Sequence, residues 1–221
     1  MNVKDTIKAR KSTRAFLNKP VEKDKIIRIL DAARFAPSGV NTQPWSVAVV
    51  SGEKKQYLQD KMEALFRSGE KANMDYSYYP SEWFSPFKER RRECGLLMYS
   101  TLGIEREEKQ RMLDQWAANY RSFDAPVTLY FFAPKGIEKG SFIDYGMFLQ
   151  SVMISAIEEG LATCPQAAQA EYPELVKEVL GYDLECLLLC GISLGYEDKD
   201  ALINSYRTPR ESVESFTKFF D

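Results

Sequence analysis

The chain has 221 residues, 44% hydrophobic and 28% charged, which is enough to bury one substantial core and typical of an ordinary soluble protein. It contains no histidine, and this excludes His-ligated metal sites, Ser-His-Asp chemistry and imidazole acid–base catalysis. A net charge of -2 argues against a dedicated nucleic-acid binder.

The charge is nevertheless uneven. Lys4, Lys8, Arg10, Lys11, Arg14 and Lys19 face only Asp5 in the first nineteen residues, so an otherwise acidic chain carries a local basic N-terminus suited to one small anion. Cys94, Cys164, Cys186 and Cys190 form no CxxC pair, and a chain of this length needs no disulfide staples. Reduced thiols in the cytoplasm are the expectation. The N-terminus lacks an apolar signal core, and the longest greasy run, Met147–Ile157, is interrupted by Gln150 and Ser151. That run is too short to span a bilayer, so neither a membrane nor a nucleic acid is expected as a partner.

Residues 3–9 read as a short helix that delivers Arg10-Lys11-Ser12-Thr13-Arg14. In an extended segment Arg10, Ser12 and Arg14 project from the same face. Two guanidinium groups and a hydroxyl on one side suit a phosphate. The plainer alternative is a solvated basic arm that meets surface carboxylates. A helix is predicted over Glu22–Phe35, with Ile26, Ile27, Leu30 and Ala33 on its apolar face.

The stretch Ala36-Pro-Ser-Gly-Val-Asn-Thr-Gln-Pro-Trp45 follows. Pro37 stops the helix, and Gly39 allows positive φ and close backbone approach. Ser38, Asn41, Thr42 and Gln43 crowd hydrogen-bonding side chains into six residues, more than a turn requires. Both a small-molecule contact surface and a plain polar loop fit this composition.

Val47–Val50 reads as a buried strand and Glu53–Phe66 as a helix with Tyr57, Leu58, Met62 and Leu65 inward. Residues 69–87 then lose periodicity while gathering Tyr76, Tyr78, Tyr79, Trp83, Phe84 and Phe87 around Pro80 and Pro86. They form either a lid that stacks an aromatic substrate or a small satellite apolar cluster. Helices are predicted from Arg90 to Tyr99 and from Glu105 to Arg121, a strand at Val127–Phe132 and a turn at Lys135–Gly140. Phe142–Glu159 is apolar all round, as in a helix central to a core or a subunit interface.

Leu161–Ala168 contains Cys164, whose thiol no histidine can activate, so it is read as buried and inert. Glu174–Leu180 is a short helix closed by Gly181, and Cys186–Cys190 is the most hydrophobic strand, running into Gly191-Ile-Ser-Leu-Gly195. After Arg207-Thr-Pro-Arg210 comes a tail with Val213, Phe216, Phe219 and Phe220, an apolar face that something must cover.

Arg-x-Ser-x-Arg at 10–14, followed after one helix by Pro-Ser-x-x-Asn-x-Gln-Pro-Trp at 37–45, resembles the FMN-dependent nitroreductase family. The glycine-ended strand near 190 and Arg-x-Pro at 207–209 extend the resemblance over nearly the whole chain. Asp144–Ala168, with Gly146-Met-Phe-Leu-Gln150 and Cys164-Pro-Gln-Ala167, is similar to the nitrobenzoate-reductase-type branch.

The resemblance implies an α+β fold, a central mainly antiparallel sheet flanked by helices, in an intertwined homodimer with FMN at the subunit interface. It implies one domain over residues 1–221, with an aromatic-rich insertion or lid at about 69–124. Arg10, Ser12 and Arg14 would hold the phosphate and the pyrimidine side of the flavin, and Lys11 fits the second basic position of the motif. Pro37, Ser38, Gly39 and Asn41 would reach across from the partner subunit, with Gln43 in the same motif. The Pro165-Gln166-Ala167 backbone would pass near flavin N5, and Arg207, or else Arg210, would help hold the phosphate. FMN performs the chemistry in this picture, so no side chain is assigned a catalytic role.

The implied activity is two-electron reduction of nitroaromatic or quinone-type acceptors by NAD(P)H in two half-reactions. Reductive dehalogenation, conversion of the flavin itself and a non-catalytic flavin-binding module remain alternatives. Charge-assisted hydrogen bonds contribute roughly 1.5–3 kcal/mol each. Two or three arginine contacts therefore supply much of the ~8 kcal/mol that micromolar binding requires.

Overall fold

The computed structural model describes residues 2–220. Four strands form one antiparallel sheet in the order β1-β2-β4-β3: β1 Ser46–Ser51, β2 Val127–Ala133, β3 Ala162–Gln166 and β4 Leu187–Gly195. Seven helices accompany it: α1 Val3–Ala9, α2 Lys23–Ala33, α3 Gly52–Ser68, α4 Phe87–Thr101, α5 Lys109–Ala117, α6 Lys139–Glu158 and α7 Pro173–Leu180. This is the expected α+β arrangement.

The alternation of strand side chains explains why β2 is buried along its whole length. Val127, Leu129 and Phe131 face a core made with α2 and α6, including Ile29, Phe148, Val152 and Ile192. Tyr130 and Phe132 face the other way, towards Leu58 and Met62 of α3, Val176 of α7, and Tyr120. Both sheet faces are thus covered by helices.

Helix phase corrects one predicted face. Ile26, Ile29 and Ala33 form the buried stripe of α2, whereas Ile27 is exposed because it lies about 100° around the helix from Ile26. Tyr57 is likewise exposed on α3 while Leu58 and Met62 are buried. The predicted helix over 105–121 shrinks to α5, and the chain beyond it turns left-handed at Ser122, Phe123 and Asp124, with φ 56°, 52° and 58°.

Strand β3 lies in the 161–168 stretch, to which the sequence assigns no element, and it contains Pro165. Proline tolerates an edge strand, and β3 is one. Its outer edge receives the N-terminal segment through a parallel bridge from Ser12 to Thr163, with Thr13 N donating to Thr163 O at 2.9 Å. Further on, Phe16 bridges to Glu197 and Leu17 N donates to Tyr196 O at 2.8 Å. The basic motif is therefore extended, as its alternation requires.

Candidate active site

Arg10, Ser12 and Arg14 all act on the Cys164 thiol, whereas Lys11 engages an acidic partner. Lys11 Nζ pairs with Glu197 at 2.6 Å and donates to Asn204 O. Lys11 and Arg10 line the same small recess, where the Lys11 charge is paired with Glu197.

Arg10, Arg207 and Arg210 converge. Burial, then the charges of Arg210 and Arg207, lower the Arg10 pKa, and its Nε is a buried side-chain polar atom without a hydrogen-bond partner. Among the described residues no ion pair joins any of the three to a carboxylate. Arg207 also closes α1: its Nη1 donates to Ala9 O, and its Nη2 donates to Lys8 O and Arg10 O. These are carbonyls that a helix C-terminus leaves unpaired. Arg210 is exposed, with Nη1 donating to Thr208 and Pro209 of its own segment.

Arg14 is fixed differently. Its backbone N donates to Asn204 Oδ1 at 2.8 Å and its Nη1 to Tyr206 Oη at 2.9 Å. Cys164 has positive neighbours after all, in Arg14 and Arg10. Burial outweighs them and pushes the thiol up to about 11. The inert reading of Cys164 holds because a thiol at that value carries almost no thiolate at neutral pH.

Pro165, Gln166 and Ala167 line a cavity of about 810 Å³ together with Tyr76, Phe142, Leu149 and Leu189. The strip is held from behind. Gln166 Nε2 donates to Asn119 O at 2.9 Å, and Gln166 Oε1 accepts from Ser193 Oγ. Gln169 Nε2 donates to the same Asn119 carbonyl, and Gln169 Oε1 accepts from Tyr130 Oη at 2.9 Å. Tyr76, in the aromatic 69–87 stretch, donates to Leu189 O at 2.7 Å, so this part of the stretch is a wall of the cavity. Arg90 of the arginine run pairs with Glu211, and Arg91 lies over Trp83 with 5.0 Å to the ring centroid.

The loop at 37–43 stands apart. None of Pro37, Ser38, Gly39, Asn41 or Gln43 lines the cavity. The base of the loop is fastened to α6 at three points. Gly39 N donates to the buried Asp144 carboxylate at 3.2 Å, Tyr145 Oη donates to Pro44 O at 2.8 Å, and Trp45 stacks on Phe148 at 4.6 Å. The positive φ that Gly39 allows is not used there. Val40, Asn41 and Gln43 take it instead, at 43°, 61° and 47°, while Gln43 N donates to Ser38 Oγ at 3.0 Å. Val40 is 98% exposed at the tip. A valine held left-handed and fully in water gives the protomer itself no packing in return for the strain.

The family model described as the Nitroreductase family matches residues 7–196. The chain is 37% identical to the 4-nitrobenzoate reductase of Pseudomonas putida, over 96% of this chain and 93% of that protein. The chain belongs to the nitroreductase family. Among solved structures, the FMN and NADPH-dependent nitroreductase NfnB from sphigopyxis sp. strain HMH superposes with a TM-score of 0.97 at 35% identity, covering 100% of both chains. The NfnB of Mycobacterium smegmatis, solved in complex with NADPH, gives 0.93 at 32%, covering 99% of this chain and 97% of that one. The likeness to the 4-nitrobenzoate reductase fits the nitrobenzoate-reductase-like branch of the family.

Several residues that hold the nitroreductase site together carried no local signal. Asn204 accepts from Lys11 Nζ with its backbone carbonyl, while its buried side-chain amide accepts from Arg14 N and donates to Ala15 O. Asp144 was legible only as a polar residue inside an apolar helix, yet it is what grips the loop. Asp144→Ala removes a charge-assisted bond of about 1.5 kcal/mol, which is about tenfold in local opening. Hydrogen exchange at Gly39–Gln43 should accelerate by roughly that factor while the β2 amides stay protected. Unchanged exchange in the loop would show that Asp144 is not its anchor.

Proposed function

We propose that this nitroreductase binds FMN non-covalently, takes electrons from NAD(P)H and passes them in pairs to nitroaromatic or quinone-type acceptors. The observation that carries the reading is Arg10, whose buried Nε lacks a partner while two further arginines press on it. Like charges gathered this way repel one another unless an anion joins them, and a phosphate dianion accepts from several guanidinium groups at once.

The residues divide the work. Arg10, with Arg207 and Arg210, holds the FMN phosphate, and Ser12 adds a hydroxyl. Arg14 sits towards the pyrimidine side, where its positive charge stabilises the negative charge that reduction develops. The Pro165–Ala167 strip presents its edge to the ring, held still by Gln166. The apolar wall of Tyr76, Phe142, Leu149 and Leu189 keeps water from the reacting face. Bound FMN supplies the two-electron redox chemistry, which is why a chain without histidine can perform it.

Relatives named 4-nitrobenzoate reductase and an NfnB solved with NADPH support the acceptor and reductant classes. NAD(P)H and the acceptor use the one cavity in turn, a ping-pong order that predicts parallel double-reciprocal plots. The whole chain acts as a single FMN-binding domain, with 69–124 as its variable cover, in a cytoplasmic enzyme.

The test is the absorbance spectrum of the purified protein before and after anaerobic NADH or NADPH. One flavin per subunit that bleaches and then recovers with a nitroaromatic or quinone supports the reading. Bound flavin that never bleaches overturns the enzyme reading in favour of a binding module, and absence of flavin after incubation with FMN overturns the site itself.

The site is completed by a second copy of the chain. Val40 at the loop tip, Ile143 and Met147 on α6, and Phe216, Phe219 and Phe220 on the tail are all exposed, the last three at 71%, 82% and 88%. So much apolar surface is ordinarily covered. Deletion after Pro209 should weaken dimerisation by at least tenfold in sedimentation equilibrium, and an unchanged dimer constant would remove the tail from the interface.

A further inference from the structure

Two features of the nitroreductase site are left without a role by the assignments above: the left-handed turn at Ser122–Asp124, and the aromatic pair around Arg14. They meet at one point. Phe123, 4% exposed, brings its ring to 6.0 Å from the Arg14 guanidinium carbon, and the Tyr206 ring lies 5.9 Å from the same atom.

We propose that Phe123 and Tyr206 are positioning residues that hold the Arg14 guanidinium in place without neutralising it, Phe123 through its ring and Tyr206 through its hydroxyl. The proposal rests on the FMN reading, in which Arg14 faces the pyrimidine side of the flavin.

The backbone argues for a dedicated purpose. Three consecutive residues with a Cβ hold φ of 56°, 52° and 58°, a region that favours glycine, and none of the three is glycine. The turn is locked in place. Thr128 Oγ1 donates to Ser122 Oγ at 2.7 Å, and Arg121 bridges Asp124 and Glu63. Strain retained in this way and surrounded by fixed partners tends to sit where a side chain must be aimed. The side chain aimed here is Phe123.

The choice of partner also matters. A carboxylate would hold Arg14 more tightly, but it would cancel the charge that the site uses. Among the described residues Arg14 forms no salt bridge. Aromatic faces attract a guanidinium through their quadrupole and leave its net charge and its outer N–H donors available. Tyr206 adds an acceptor, its Oη taking the Nη1 proton at 2.9 Å, and Ser12 O lies 3.4 Å from the same nitrogen. Because Tyr206 directly precedes Arg207, the clamp also ties the pyrimidine-side arginine to the segment that bears the phosphate-side ones.

The test uses the holoenzyme with Phe123→Leu, Tyr206→Phe and Arg14→Gln. Leucine keeps the apolar bulk and removes the ring face, whereas phenylalanine at 206 keeps the face and removes the acceptor. Each clamp variant should bind oxidised FMN within about threefold of the parent, by fluorescence quenching of added FMN. Each should favour reduced over oxidised flavin about tenfold less, read as a midpoint potential about 30 mV lower for a two-electron couple. A merely structural role would lower thermal stability and leave the potential in place.

If Arg14→Gln lowers the potential while both clamp variants match the parent, the clamp is overturned and the FMN reading survives. If Arg14→Gln also leaves the potential unchanged, the placement of Arg14 at the flavin is wrong and the proposal falls with it. Should Phe123→Leu fail to fold, Tyr206→Phe alone decides, because the loss of one hydroxyl leaves its ring packing intact.

Discussion

Arg10→Ala combined with Arg14→Ala is expected to give a folded, nearly colourless protein. Folding survives because the segment is fastened by its backbone. Thr13 N to Thr163 O, Arg14 N to Asn204 Oδ1 and Leu17 N to Tyr196 O persist whatever the side chains at 10 and 14. Removing Arg10 also relieves its repulsion by Arg207 and Arg210 and leaves no hydrogen-bond partner of its Nε stranded. Binding does not survive. Two charge-assisted contacts at roughly 1.5–3 kcal/mol each amount to about 3–6 kcal/mol, or on the order of a hundredfold to ten-thousandfold in FMN affinity. The measurement is the flavin-to-protein absorbance ratio after purification, with circular dichroism as the control for folding. Flavin content equal to the parent's would remove the two arginines as anchors.

How much of this was legible in the sequence depends on how locally each interaction is encoded. The alternation of Arg10, Ser12 and Arg14 needs only a period of two, and all three act on the Cys164 thiol. The helices and β2 follow from runs of apolar residues whose spacing is itself the cause of burial. What escaped is long-range or runs against propensity. Arg207 reaches the carbonyls of residues almost two hundred positions earlier, and Asn204 accepts from Lys11 Nζ and Arg14 N across a similar separation. No local pattern marks such pairs. Strand β3 contains a proline, and the left-handed turns at Val40–Asn41 and Ser122–Asp124 carry no glycine where one would announce them. The glycine rule pointed to Gly39, one residue before the strain begins. In each case the surrounding structure overrides local preference, and two of those places lie at the loop tip and beside Arg14.

Gly191→Ala should damage the sheet out of proportion to the one methyl group it adds. A Cβ at 191 would lie 2.6 Å from Gln169 Cβ and 2.8 Å from its Cγ, with Leu129 O at 3.5 Å. Gln169 is fully buried, and the atoms struck are those nearest its own backbone, so a rotamer change does not clear them. Its amide is also held at both ends, by Asn119 O and Tyr130 Oη. The 167–170 turn must therefore move, or Gln169 must give up both bonds in a dry interior. Overpacking costs about 1–3 kcal/mol and a buried polar group left unpaired a similar ~1–3 kcal/mol. The urea midpoint should accordingly fall with little change in slope. Because Gln166 pairs with Gly191 across β3 and β4, the same displacement reaches the Pro165–Ala167 strip. FMN affinity should fall along with stability. Gly95→Ala is the control: it lies in α4 with no atom within 4 Å of its added Cβ, and alanine there should stabilise by roughly 0.5–1 kcal/mol. A Gly191→Ala protein as stable as its parent would mean that Gln169 is not pinned, and the rigid support assigned to the cavity strip would fail with it.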